Sequence, residues 1–270
     1  MTSLAEDKLR AREQWSQDPC GAEYDREHPL GTREFFEKIE RHRYSEYAPW
    51  MPTVMGFDRF AGAHLLEIGC GMGSDLLQFA RGGAICTGID ITPRSIEITR
   101  HRFALYGLNG TFLLSDGERL PFPSETFDVV YSNGVLHHTP DTAGAISEIH
   151  RVLRPGGTAK VMLYHRNSLN YWVEIVLRRG LLRAEFLRGR SAEEIMSRVI
   201  EHSEHKATPL VKVYSRKEAR SLFAMFKEVD IEVEQLLREE LRFMSPLISE
   251  NLFRRLQNRI GWNVIITATK

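Results

Sequence analysis

The feature of this sequence that most constrains its fold is a short apolar run that ends in alternate glycines. Residues 65–68 are mostly apolar and predict a buried strand, which leads directly into Gly69-Cys70-Gly71-Met72-Gly73. Glycines let the backbone turn tightly and let a flat ligand lie against the main chain, where a Cβ would collide with it. Residues 75–80 then predict a helix whose first N–H groups face the same space. Strand, turn and helix together predict a nucleotide-type pocket.

Two details indicate which kind of ligand suits this pocket. A dinucleotide-binding fingerprint requires a third glycine at the place that Ser74 takes here. Glu67 lies inside the strand end, where its charge would repel a pyrophosphate but suits a cationic ligand. A second apolar run ends at Asp90, about 20 residues after the turn, which is the distance at which an acid reaches ribose hydroxyls. The pattern therefore disfavours a nicotinamide-dependent oxidoreductase.

This combination of motifs resembles a known family. Glu67-x-Gly69-x-Gly71-x-Gly73 followed by Asp90 is similar to the first two motifs of class I S-adenosylmethionine-dependent methyltransferases. Residues 113–123, 127–138 and 151–157 match the later segments of the small-molecule, type 11-like branch in order and spacing. The resemblance is close over residues 60–165 and implies S-adenosylmethionine as the cofactor.

The resemblance also implies which residues hold that cofactor. In the family, the residue that matches Asp116 accepts a hydrogen bond from the adenine amino group, and the backbone of the next residue completes the contact. The cofactor-binding residues are expected to be Glu67, Gly69, Cys70, Gly71, Gly73, Asp75, Asp90, Ile91, Asp116, Gly117, Asn133 and Gly134.

The order of the predicted elements indicates the fold class. Strands and helices alternate over residues 64–165, which predicts a Rossmann-like, doubly wound α/β sheet of about seven strands, mostly parallel. Two late strands, at 229–234 and 262–269, are expected to form the antiparallel edge that the family has. Residues 1–60 are predicted to be a helical N-terminal cap, and 61–270 the methyltransferase domain. Within that domain, a helical insertion is expected at about 166–210, after the fifth strand.

Several helix starts can be placed from the sequence. Thr32 and Thr92 are expected to cap helices, the latter with Pro93 at the first helical position. Ser215-x-x-Glu218 is a capping box, and its helix is expected to run through Phe226. Asn167 is expected to cap the helix that follows the fifth strand.

The acceptor is expected to lie where the fourth and fifth strands end, because ligands of open parallel sheets bind beyond the carboxyl ends. Methyl transfer needs positioning and exclusion of water, with a general base only if the acceptor must lose a proton. The expected catalytic residues are His138, Tyr164 and His165. The expected acceptor contacts are Tyr44, Arg166, Asn167 and Tyr171. The alternatives are structural: a histidine bonded to the backbone, a solvated arginine, and aromatic rings that belong to the core.

The composition of the chain limits the classes of partner that it is expected to bind. Lys plus Arg equals Asp plus Glu, 36 against 36, so no global field draws the chain to nucleic acid or to anionic lipid. Three cysteines provide no disulfide framework, residues 1–12 have no apolar core of a signal peptide, and no apolar run approaches the ~18 residues of a membrane span. The chain is expected to be soluble and cytoplasmic, with a small-molecule acceptor, no nucleic acid and no membrane as partner. His202 and His205 have no further ligand at a recognisable spacing, so no metal is expected.

Two other functions stay open at this point. An enzyme of the same cofactor could transfer or cyclise its aminocarboxypropyl group instead of the methyl group, and only the placement of an acceptor distinguishes these reactions. A binding module without catalysis is the third possibility.

Overall fold

A seven-stranded sheet forms the centre of the molecule. The computed structural model describes residues 4–199 and 209–270, without the side chains of residues 4, 5 and 242–246. The strands are β1 His64–Ile68, β2 Ile85–Asp90, β3 Thr111–Leu114, β4 Phe127–Asn133, β5 Leu153–Tyr164, β6 Glu228–Glu234 and β7 Asn263–Thr269. Their order is β3-β2-β1-β4-β5-β7-β6. This confirms the predicted Rossmann-like fold class.

The strand directions also match the prediction. Strands β1 to β5 pair in parallel, whereas β7 pairs antiparallel with both β5 and β6 over its whole length. The chain order reverses between β1 and β4, since β1 leads outward to β2 and β3 while β4 leads to β5. A crevice for a ligand is expected at such a switch point, beyond the carboxyl ends of the two strands.

Helices cover both faces of the sheet. They are α1 Leu4–Gln17, α2 Arg33–Arg41, α3 Ser74–Arg81, α4 Pro93–Leu105, α5 Thr142–Val152, α6 Ala192–Val199, α7 Arg216–Leu222 and α8 Glu250–Ile260. Alternate residues of β1 face opposite sides: Leu66 and Ile68 join the core under α5 and α7, while Leu65 joins the core under α3 and α4. Segments of π-helix span His42–Tyr47, Pro52–Gly56 and Tyr171–Leu182, and 3₁₀ turns span Ala22–Tyr24, Leu136–His138, Phe186–Arg188 and Arg238–Leu247.

Most predicted helix starts are confirmed. The hydroxyls of Thr32, Thr92 and Ser215 each accept a hydrogen bond from the backbone N–H three residues later, and the Ser215 capping box is complete. Helix α7 ends at Leu222, however, not at Phe226. The chain turns there because Phe223 and Phe226 both insert into the core, with tight turns closing between them.

The predicted cap at Asn167 is wrong. The backbone N–H of Tyr171 donates instead to the hydroxyl of Ser168, at 3.1 Å. The helix begins late because the backbone N–H of Arg166 is still bonded to Tyr214, at the bridge that extends β5 by one residue. The insertion is helical over its described part, and residues 200–208, which include His202 and His205, lie outside the described residues.

Gln235 ties the N-terminal segment to the antiparallel edge of the sheet. Its side chain accepts from Trp50 Nε1 at 2.7 Å and donates to the Tyr47 carbonyl at 2.8 Å, and its own carbonyl accepts from the N–H of Trp262. Gln235 has a φ of 66°, a left-handed conformation that costs a residue with a side chain about 1 kcal/mol. Three hydrogen bonds hold it there.

Glu234, at the end of β6, is expected to make stability depend on pH. Burial, reinforced by the neighbouring charge of Glu232, raises the pKa of Glu234 to about 7. A carboxyl with a raised folded pKa stabilises the protein most below its unfolded pKa, and that contribution is lost as pH rises through the folded value. The free energy of unfolding of Glu234→Gln, relative to that of the wild type, should therefore rise by about 1 kcal/mol between pH 5 and pH 8.

Urea unfolding at both pH values measures this difference. Glu228→Gln, an exposed position on the same strand, is the control and should follow the wild type at both pH values. Parallel pH dependence of the wild type and Glu234→Gln would contradict the assignment.

Candidate functional site

The glycine turn after β1 is tightly packed at Gly69 and open at Gly71. A Cβ on Gly69 would lie 2.3 Å from a methyl carbon of Val135, so the loop after β4 packs directly onto the turn. A Cβ on Gly71 would instead meet no atom within 4 Å, and Gly71 has a φ of 52°. The backbone at Gly71 therefore borders open space at the carboxyl ends of the strands. Gly73 and Gly134, both with positive φ, begin α3 and the loop after β4.

Asp90 fixes the glycine turn to the start of α4. One carboxylate oxygen accepts from the N–H and the hydroxyl of Thr92, both at 2.9 Å, and the other accepts from the N–H of Gly71 at 3.0 Å. Burial raises the pKa of Asp90 against the effect of these hydrogen bonds. Cys70 is buried in the turn, and Ile91 follows Asp90 half-buried. The predicted ribose-binding acid thus also organises the turn.

Two buried acceptors in the crevice have no hydrogen-bond partner: Glu67 Oε2 and Asn133 Oδ1. Glu67 lies opposite Tyr131 in the register of β1 and β4, and burial together with the charge of Asp75 raises the pKa of Glu67 well above its usual range. Buried polar groups without a partner are rare in native proteins. These acceptors on neighbouring strands, beside the open space at Gly71, fit a ligand that carries N–H donors and positive charge.

Asp75, in the first turn of α3, holds the N-terminal segment against the sheet. Arg43 donates to both of its oxygens, at 2.8 and 2.7 Å, and the hydroxyls of Tyr44 and Tyr131 donate at 2.6 and 2.8 Å. Burial opposes ionisation, but the Arg43 charge and these hydrogen bonds keep the pKa of Asp75 below its usual value. Asn133 adds a longer bond at 3.3 Å. The oxygens of Asp75 and the hydroxyl of Tyr44 are therefore engaged within the protein.

Helix α1 reaches the predicted adenine end of the crevice through Lys8. Its ammonium lies 2.5 Å from one oxygen of Asp116 and also contacts the carboxylate of Glu118. The other oxygen of Asp116 accepts from the N–H of Glu118 at 2.9 Å. The loop at Gly117 runs so close to β1 that a Cβ there would lie 2.8 Å from a methyl carbon of Ile68.

An aromatic cluster lines the ends of β4 and β5. The ring of Tyr164 lies 3.8 Å from that of His137, 4.7 Å from that of Trp262 and 6.0 Å from that of His138, measured between centroids. Trp15 of α1 packs edge-on against His138 at 4.9 Å. Two of the predicted catalytic residues, His138 and Tyr164, are thus brought together. Nδ1 of His138 lies 2.7 Å from the Leu210 carbonyl, which is the structural alternative considered for it.

The sequence did not single out His137, which has the more unusual surroundings. It is fully buried and neither ring nitrogen has a hydrogen-bond partner. Burial, with the neighbouring His138, lowers the pKa of His137 well below its usual value, so the ring is neutral at physiological pH. A neutral imidazole has one donor and one acceptor nitrogen, and both are without a partner in His137.

The remaining predicted residues are more dispersed. His165 is buried and donates through Nδ1 to the Gly261 carbonyl at 2.9 Å. The guanidinium of Arg166 is engaged by Glu218 at 2.7 Å and by the Val213 carbonyl at 3.0 Å. Exposed Asn167 follows it, whereas Tyr171 packs in the same apolar cluster as Tyr164 and Trp262.

One group of potential metal ligands occurs among the described residues. The donor atoms of Asp25, Glu27 and His28 lie within 4.8 Å of one another. The Asp25 carboxylate accepts from the N–H groups of Glu27 and His28 and contacts the His28 ring at 2.8 Å. These bonds are those of a turn cap.

Comparisons with known proteins agree with this geometry. Residues 66–161 match a family model described as a methyltransferase domain. The sterol 4-C-methyltransferase strm-1 of Caenorhabditis elegans is 40% identical over 96 residues, covering 35% of this chain and 29% of the relative. The ubiquinone biosynthesis O-methyltransferase of Methylocella silvestris is 30% identical over 167 residues, covering 60% and 62%.

A solved structure extends the match in fold. It is an S-adenosylmethionine-dependent methyltransferase of Thermotoga maritima, described as a possible histamine N-methyltransferase, and it covers 88% of this chain and 96% of its own. The TM-score is 0.53 at 19% identity, so this likeness concerns the fold. The chain spans less than two thirds of the length of the curated relatives named above.

Proposed function

We propose that this chain transfers a methyl group from S-adenosylmethionine to a small-molecule acceptor, since residues 66–161 match a methyltransferase domain. The observation that carries the proposal is the glycine turn, which is open at Gly71 and fixed by Asp90, and two buried acceptors without a partner on the neighbouring strands, Glu67 Oε2 and Asn133 Oδ1, support it. A nucleoside with a cationic amino acid arm supplies the donors that these atoms lack.

Each residue of the crevice has a role in this proposal. S-adenosylmethionine, when bound, supplies a methyl group on a sulfonium that is already a good leaving group. Asp90 accepts from the ribose hydroxyls, and Asp116 with Gly117 binds the adenine edge. Glu67 and Asn133 accept from the cationic arm. Asp75 holds the N-terminal segment against the sheet through Arg43 rather than touching the ligand.

The acceptor is placed against the aromatic cluster at the ends of β4 and β5. Tyr164, His137 and His138 line it, and the Trp15 ring of α1 closes it from the N-terminal side. The protein contributes mainly by aligning the acceptor and excluding water. Where the acceptor must lose a proton, the expected bases are His138, Tyr164 and His165, whereas His137, whose pKa burial lowers well below its usual value, is poorly suited to that role at neutral pH.

Calorimetric titration with S-adenosylmethionine, S-adenosylhomocysteine and NADH tests the cofactor directly. Binding of the first two without the third is expected. Tight binding of NADH alone would contradict this proposal and favour a nicotinamide-dependent oxidoreductase. Chromatography of reaction products separates the two chemistries of the cofactor: S-adenosylhomocysteine marks methyl transfer, and methylthioadenosine marks aminocarboxypropyl transfer, which the comparisons do not favour.

The organisation and location of the chain belong to the same proposal. Residues 1–60 act as a cap on the domain of residues 61–270, supported by the bonds of Arg43 and Tyr44 to Asp75. A reducing, cytoplasmic location is supported by Cys20, Cys70 and Cys86, all of which are free thiols. The balanced net charge supports an acceptor other than nucleic acid.

Lys8 is expected to compete with the cofactor for Asp116. Because its ammonium occupies the oxygen that the adenine amino group would use, Lys8→Met should tighten binding of S-adenosylmethionine about two- to fivefold, as for a partly exposed ion pair. Calorimetric Kd values measure the change, and Lys38→Met, at an exposed position of α2, is the control. Weaker binding in Lys8→Met would mean that Lys8 assists the ligand instead.

A further inference from the structure

The insertion after β5 exposes an unusual amount of apolar surface. The insertion face, as we call it, consists of Trp172, Val173, Leu177, Leu181, Leu182 and Leu187. Leu182 keeps 75% and Leu187 89% of their surface exposed, and more than half of Trp172 is exposed. Single exposed leucines are normal on protein surfaces, but a contiguous set on one element marks a contact surface.

The geometry of the π-helix Tyr171–Leu182 gathers five of these side chains on one side, and Leu187 follows in the 3₁₀ turn Phe186–Arg188. Members of the insertion face recur about every four to five residues, which matches a helix bonded from residue i to i+5. The opposite side is fixed by packing: Ile175 is fully buried, and a Cβ on Gly180 would lie 2.1 Å from the ring of Phe186. The helix therefore cannot rotate to bury its exposed side without losing its core contacts.

Positive charge accompanies the insertion face. Residues 171–190 contain five arginines and two glutamates, although the whole chain is balanced. Both glutamates are the less exposed members of their ion pairs: Glu174 bonds Arg178 and Arg179, and Glu185 bonds Arg190. Arg183 and Arg188 are exposed beside the leucines.

This combination fits one class of partner. A second copy of the chain would place the same arginines against each other, because a two-fold interface joins identical patches. A nucleic acid would not bind a row of leucines, since proteins contact nucleic acids mainly through their phosphates. Apolar side chains flanked by arginine are the surface of a segment that lies in the plane of an anionic bilayer.

We propose that the insertion face docks on an anionic membrane surface. The apolar side chains enter the boundary between headgroups and acyl chains, and the arginines bind lipid phosphates. Among the described residues no helix is long and apolar enough to cross a bilayer, so the segment lies on the surface. The sequence-based expectation of no membrane partner considered only spanning runs and global charge. This proposal does not depend on the reaction, although Tyr171 connects the insertion face to the cluster around Tyr164.

Sedimentation with vesicles tests the proposal on the whole chain. Binding to vesicles of phosphatidylcholine with phosphatidylglycerol is expected, with much weaker binding to phosphatidylcholine alone. The double variant Leu181→Asp with Leu182→Asp should reduce binding more than tenfold, since it removes two apolar side chains from the bilayer contact and adds two negative charges there. Arg183→Gln with Arg188→Gln should weaken binding and flatten its dependence on salt.

The control is Met225→Asp, an apolar side chain that is 48% exposed in the turn after α7. It should bind vesicles as the wild type does, and circular dichroism should show that every variant is folded. Absence of binding to anionic vesicles, or an equal loss in the control, would overturn the proposal. So would a lipid-free dimer that the leucine variant dissociates, because the face would then belong to a second copy.

Discussion

Asp75→Asn is expected to lower the midpoint of thermal unfolding by about 6–12 °C. The substitution keeps the shape of the side chain but removes the charge to which Arg43, Tyr44 and Tyr131 all donate. Removing one partner of a buried ion pair costs about 3–5 kcal/mol, and the lower end applies because a quarter of the Arg43 side chain remains exposed. For a chain of this size, about 3 kcal/mol corresponds to that shift.

Thermal unfolding followed by circular dichroism at pH 7 measures this effect. Glu250→Gln breaks the exposed ion pair with Arg238 and should change the midpoint by less than about 2 °C. The pKa of Asp75 is lowered in the folded state, so its contribution is present above the unfolded pKa and is lost as pH falls through the folded value. The difference between wild type and Asp75→Asn should therefore shrink in acid. A midpoint within 2 °C of wild type at pH 7 would contradict the anchoring role.

Glu67→Gln is expected to weaken binding of S-adenosylmethionine about 30-fold while making the free protein more stable. The affinity falls because a hydrogen bond to the charged carboxylate is about 2 kcal/mol stronger than the hydrogen bond to the neutral amide that replaces it. Stability rises because Glu67 is a buried carboxyl with an unpartnered oxygen, whose ionisation burial and Asp75 both oppose. The combination of weaker binding and higher stability would separate the loss of a ligand contact from general unfolding.

The pH dependence of both effects follows from the raised pKa of Glu67. In the free protein its stabilising contribution is complete below the unfolded pKa and is lost as pH rises through the folded one, so the gain of Glu67→Gln grows toward neutral pH. Cofactor affinity of the wild type should rise over the same interval, as the carboxylate forms. Calorimetry from pH 5 to pH 8 measures it. Asp128→Asn, at the opposite end of β4, is the control, and equal affinity of Glu67→Gln and wild type would exclude Glu67 from the cation site.

Local patterns were enough to predict the fold and the start of the crevice. Alternation of strands and helices, the glycine turn and the caps at Thr32, Thr92 and Ser215 depend on neighbours within a few positions, and they appear where expected. The anchoring role of Asp75 could not be predicted in this way. In the sequence it is an acid in the first turn of a helix, whereas its partners lie 31, 32 and 56 residues away.

Other features could not be predicted because their partners are distant in the sequence or because their helix has an unusual period. Lys8 and Asp116 are 108 residues apart, and nothing on the polar face of α1 indicates the contact. The sequence does not distinguish His137 from His138, and only the folded structure shows that the His138 ring bonds a carbonyl while the His137 ring has no hydrogen-bond partner. The insertion face has a π-helical spacing, so a search at the α-helical period does not find its stripe.

The four tryptophans have a practical consequence. Trp15 lies against His138, Trp262 against Tyr164, and Trp50 is bonded to Gln235, so three indoles report on the crevice and its cap. Trp172 is the one tryptophan of the insertion face, and 53% of it is exposed. Intrinsic fluorescence can therefore follow small-molecule occupancy and lipid contact as separate signals. Occupancy should change the emission intensity of Trp15, Trp50 and Trp262, and lipid contact should give a blue shift that Trp172→Phe abolishes. The protein carries its own optical probes for both events.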